Sequence, residues 1–133
     1  MTEPPIRVHG IFDGTPAAPA EARQLVTDAI PDAAEPAVAI AQVLVSELVS
    51  TAVRHGSRRI AVAVLPVRDV VRIEVVEQTV ELERAPDVAL VEDDLDRLST
   101  KTVEVLADRH GRDMRSDGMA SWIELDLTRP AGG

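Results

Sequence analysis

The run Ser46-Glu47-Leu48-Val49-Ser50-Thr51-Ala52-Val53-Arg54-His55-Gly56 spaces three side chains in a way that could serve chemistry. Read as a helix, it puts Glu47 and Thr51 four residues apart on one face, with His55 a further turn on. Leu44, Leu48 and Ala52 form an adjacent apolar stripe. A carboxylate beside a core-facing surface costs free energy unless it is paired or put to use. Thr51 is a neutral hydroxyl of the kind that can ligate magnesium. Further along, Ser99, Thr100 and Lys101 offer hydrogen bonds and positive charge to an anion. Arg54, Arg58 and Arg59 cluster about His55-Gly56-Ser57. There they suit either a charged partner or the negative end of a helix that His-Gly terminates.

Other chemistries are excluded or unsupported. The chain has no cysteine, which removes thiolate catalysis, disulfides and Cys-ligated zinc, and fits a reducing cytoplasm. His9, His55 and His110 show no metal-ligand spacing, and no Walker loop or Gly-x-Ser-x-Gly elbow is present. A net charge of -9 argues against a nucleic-acid-binding face. The opening residues lack a basic region followed by an apolar core, and no apolar run is expected to span a bilayer. The expectation is a cytoplasmic protein without membrane attachment.

The elements that must position these groups follow from periodicity and punctuation. Residues 6–12 read as a strand closed by Asp13-Gly14-Thr15-Pro16, and residues 20–30 as a helix stopped by Pro31. A long helix is expected over 34–55, with Pro36 in its first turn. Residues 60–65 and 70–76 read as a hairpin about 66–69. Residues 79–96, acidic and without glycine, read as a surface loop or lid; residues 101–111 read as a helix. His110 is expected to cap that helix, and a final hairpin is expected over 112–127 with Trp122 in the core. At 133 residues, with 45% apolar and almost no aromatic content, the chain is read as one domain (1–133, core about 6–128) with an aliphatic core. The fold class is α+β: a two-layer α/β sandwich with helices on one face of a mixed, mostly antiparallel sheet.

Glu47-Leu48-Val49-Ser50-Thr51-Ala52-Val53-Arg54-His55-Gly56 resembles the Glu-Leu-Val-Thr-Asn-Ala-Val-Arg-His-Gly helix of GHKL-type (Bergerat-fold) ATPase domains in anti-sigma factors and related serine kinases. Leu106-Ala107-Asp108-Arg109-His110-Gly111 is similar to that family's Leu-Ala-Asp-Arg-Trp-Gly segment. Ser121-Trp122-Ile123-Glu124-Leu125 is similar to its closing strand. The resemblance runs from about Val8 to Leu127. It implies Glu47 as general base, Thr51 at the position of the magnesium-holding Asn, and Glu77 where an Asp would bind adenine. It implies a nucleotide site completed by His55, Gly56, Thr79, Ser99, Thr100 and Lys101. Residues 97–100 occupy the place of the family's Gly-x-Gly-Leu phosphate loop, yet hold no glycine.

Those departures imply a degenerate regulator acting by protein contact, with weak or lost ATP binding and no cofactor, a pseudokinase instead of an enzyme. If the site still works, Mg-ATP and protein serine/threonine kinase activity are expected. A pocket remodelled for another small molecule is the third alternative. The implied partner is a sigma factor or an anti-sigma antagonist; a homodimer, as in some relatives, is left open. The partner surface is expected at Arg54, Arg58, Arg59 and the acids Glu92, Asp93 and Asp94, which would also repel polyphosphate.

Overall fold

The computed structural model describes residues 8–31, 33, 35–78 and 94–128. Strand β1 (Val8–Asp13) leads into helix α1 (Ala18–Ala29), whose first turn accommodates Pro19 and whose buried Ala18, Ala22 and Val26 recur every four residues. Helix α2 (Glu35–Arg54) turns Ala37, Ala41, Leu44, Val45, Val49 and Ala52 to the core. It ends in a Schellman arrangement: the Ser57 N–H donates to the Ala52 carbonyl, the Gly56 N–H donates to that of Val53, and Gly56 takes φ +81°. His55 is thereby fixed at the last helical step. By length and composition α2 is apolar enough to cross a bilayer, contrary to the sequence expectation. Here its buried stripe packs on the sheet.

Strands β2 (Arg59–Val67) and β3 (Val70–Gln78) form the expected hairpin, longer than the sequence suggested, with Pro66 inside β2 and Arg68 in the left-handed region at φ 57°. Helix α3 (Asp94–Leu106) then precedes the hairpin of β4 (Arg109–Arg115) and β5 (Gly118–Asp126). The sheet order is β1-β2-β3-β5-β4, and all four described pairings are antiparallel. Ile60, Val62, Val64, Val71, Ile73, Val75, Ile123 and Leu125 point from it toward the helices. The result is a two-layer sandwich with its aliphatic core between the layers. Each fully buried aliphatic side chain contributes about 1.5–3 kcal/mol relative to exposure.

Three expectations are corrected. Residues 97–100 are helix, because nothing between Asp94 and Leu106 breaks the helical pattern and acids in the first turn complement its dipole. That helix stops at Leu106, so His110 lies in β4 and caps nothing. Trp122 is half-buried on the face away from the helices: alternation turns its neighbours Ile123 and Leu125 inward, so Trp122 points outward. There its ring lies over Gly111, where an added Cβ would come within 2.6 Å of the indole. The Arg72 guanidinium stacks on the ring at 4.2 Å from its centroid. Most of the expected loop, residues 79–93, lies outside the described residues.

Candidate functional site

Helix α3 turns Asp96, Ser99 and Val103 inward and leaves Leu95, Leu98 and Val105 more than half exposed. Its inward polar residues meet the end of α2. The Arg54 guanidinium donates to Thr51 Oγ1 at 3.1 Å, the Thr51 hydroxyl to Ser99 Oγ at 3.1 Å, and the Ser99 hydroxyl to Glu47 Oε2 at 2.6 Å. Each hydroxyl both accepts and donates, so the chain is polarised toward the carboxylate. The same Arg54 nitrogen lies 3.0 Å from Asp96 Oδ1.

His55 joins the two halves of the site. Its Nε2 lies 2.8 Å from Asp96 Oδ2 on α3, and its Nδ1 lies 3.2 and 3.3 Å from the two carboxylate oxygens of Glu77 on β3. The Ser57 hydroxyl donates to Glu77 Oε1 at 2.7 Å. Burial opposes a charge on the imidazole, but the hydrogen bond to Asp96 and the attraction of Glu77 and Asp96 outweigh it and raise its pKa above 6.5. Burial likewise opposes ionisation of Asp96; hydrogen bonds from His55 and Arg54 prevail and hold its carboxyl below 3.8. The two carboxylates thus favour the charged form of the imidazole between them.

Beside the network lies a cavity of about 520 Å³, walled by Leu48, Val75 and Val103 and bounded by Thr51, His55, Glu77, Asp96, Ser99 and Thr100 at one side and by β4 and β5 at the other. The site residues expected from sequence thus converge in part. Glu47, Thr51, His55, Glu77 and Ser99 share one network. Thr100 lines the cavity. Gly56 serves as the helix cap, and Lys101 is exposed, about 200° round α3 from Ser99. Arg54, expected on a partner surface, is exposed and also tied to Thr51 and Asp96; Arg58 and Arg59 are exposed as well. Asp94 is exposed, 3.3 Å from Arg97; Thr79, Glu92 and Asp93 lie outside the described residues.

Asp96 and Ser57 were not singled out in the sequence. Asp96 closes an acidic run that was read as part of a surface loop, and its pointer is the spacing of three residues to Ser99. Among the described residues no group of three or more His, Asp or Glu side chains is placed to hold a metal ion.

No family model matches the chain, and a search of curated proteins gives no match. Among solved structures it is similar to the RsbU and RsbW domains of Rv1364c from Mycobacterium tuberculosis, with a TM-score of 0.69 and 22% identity over 97% of this chain. The match covers 34% of that chain, so this sequence spans about a third of its neighbour's length. What the two share is the fold: a two-layer α+β sandwich with an open antiparallel sheet.

Proposed function

We propose that this chain is a regulator of the anti-sigma factor and serine kinase type that works by protein contact, with ATP binding weak or lost. The observation that carries the reading is the hydrogen-bonded chain from Arg54 through Thr51 and Ser99 to Glu47. In the family the sequence resembles, these stations serve magnesium, phosphate and the general base. Here the Thr51 hydroxyl is committed to Ser99 and Arg54, and Glu47 accepts a hydrogen bond from Ser99. Because residues 97–100 are helical, their N–H groups are not arranged as a glycine loop would present them. Asp94 and Asp96 set negative charge in the turn where a phosphate would seek positive potential. The donors a magnesium-nucleotide would need are spent on one another, so the residues present do not fit it. The fold shared with a chain that carries an RsbW domain supports the regulatory half of the reading.

The partner proposed is a sigma factor or an antagonist of an anti-sigma factor. Arg58 and Arg59, exposed where α2 gives way to β2, supply charge that selects and steers it. Co-elution of the purified chain with sigma factors of its own genome tests this. A complex should form without nucleotide, and the double variant Arg58→Glu/Arg59→Glu should weaken it at least about tenfold with an unchanged melting temperature. A complex that forms only with Mg-ATP would favour the kinase reading instead.

A further inference from the structure

We infer that the cavity beneath α3 binds a small monocarboxylate with an apolar body, anchored at Arg112. The inference rests on the reading above that the phosphate side of the site is closed. At about 520 Å³ the cavity falls within the roughly 300–1,000 Å³ typical of small-molecule sites. Its two sides differ in chemistry. Toward α2 the polar groups are satisfied by one another, and Glu77 and Asp96 bring negative charge. Across the middle, Leu48, Val75 and Val103 offer aliphatic surface.

At the other side stand His110 and Arg112 of β4. In register His110 lies opposite Ile123 and Arg112 opposite Ser121, the face of β5 that looks to the helices. Both line the cavity, and among the described residues neither makes an ion pair. A guanidinium with its planar fork uncommitted matches a carboxylate in two parallel hydrogen bonds, and the His110 ring can add a third. The body of such a ligand would cover the aliphatic walls and remove them from water. One negative charge suits the arrangement better than several. A polyanion satisfying Arg112 would carry its remaining charge toward Glu77 and Asp96, at a Coulombic cost.

The test titrates the full chain with 4-phenylbutyrate and with its neutral analogue 4-phenylbutanamide, followed by amide chemical shifts. The acid should bind at least about tenfold more tightly than the amide, since only the acid makes the charge-assisted pair. Arg112→Gln should erase that preference and leave the affinity for the amide in place. Thr100→Trp, which sends an indole into the cavity from an exposed position, should weaken both ligands. Equal affinity for acid and amide, or no shift with either at millimolar concentration, would overturn the inference. If Mg-ADP binds with micromolar affinity, the proposed function fails, whatever the probe does; silence toward both probe and nucleotide defeats the cavity inference alone.

Discussion

Two charged networks lie on opposite faces of one sheet, and their chemistry differs. On the face away from the helices, buried Glu74 accepts from Arg72 at 2.8 Å and from Arg115 at 2.9 Å. Glu124 accepts from Arg109 at 2.7 Å and from Arg72 at 3.3 Å. Arg115 holds the Glu74 carboxyl far below its usual range, to about 2, with help from Arg72 and against the effect of burial. Each partner here is a guanidinium or a carboxylate, so the charges do not change near neutrality. The strands they bridge, β3, β5 and β4, are already joined by backbone ladders.

On the helix side, hydroxyls and an imidazole fasten α3, which turns only Asp96, Ser99 and Val103 into full burial. The first network reinforces what the sheet holds anyway. The second holds an element with few buried side chains of its own, and through an imidazole whose pKa its carboxylate neighbours raise. Placement of charge, more than its amount, decides which part of this fold is conditional.

The largest effect should come from removing the carboxylate in each network. Asp96→Ala leaves Arg54 and His55 without their shared partner and should reduce the free energy of opening α3 by roughly 1–3 kcal/mol, read as faster amide exchange across that helix. Glu74→Ala should lower the melting temperature of the whole molecule without singling out α3. Selective exchange of α3 in the Glu74 variant would break the distinction between the faces.

A pH series should separate the networks next. The folded pKa of His55 is raised, so its contribution is complete below 6.5 and is lost as pH rises through the folded value. Asp96 is lowered, so its contribution is present above 3.8 and is lost as pH falls through its folded value. Glu74 contributes above 4.5 and loses that contribution as pH falls toward about 2. Exchange from α3, corrected for intrinsic rates, should therefore quicken as pH rises above 6.5 while the far-face network stays unchanged. His55→Gln should flatten that dependence; a slope that persists in this variant would assign it elsewhere.

The smallest effect is expected at Arg97, whose pair with Asp94 is exposed on both sides. Arg97→Ala should change the unfolding free energy by less than about 0.5 kcal/mol. A larger loss would mean that the outer face of α3 carries contacts this comparison assigns to the inner one.

The two networks were unequally legible in the sequence. The helix that carries Glu47 and the glycine that stops it were plain, because periodicity and His-Gly punctuation are local signals. Glu47, Thr51, His55 and Glu77 were brought together by a family resemblance, which transfers places more surely than conformations. It misled at residues 97–100: a glycine-free loop was expected in the place of the family's phosphate loop, where the chain is helical. Asp96 was hidden because its importance depends on α3 meeting the end of α2, a contact between segments some 40 residues apart, and Ser57 because its partner Glu77 lies on β3, 20 residues on. The far-face network was not foreseen, since alternation alone does not say which acids and arginines of three strands will align.

The proposal that groups a nucleotide would need are spent between α2 and α3 is tested most directly by a calorimetric titration of the intact chain with Mg-ATP. The account predicts no binding at micromolar concentration, with measurable affinity gained when Thr51→Asn is combined with Arg97→Gly and Ser99→Gly in a variant that remains folded. Micromolar binding by the natural sequence, retained in Glu47→Ala while turnover is lost, would contradict it.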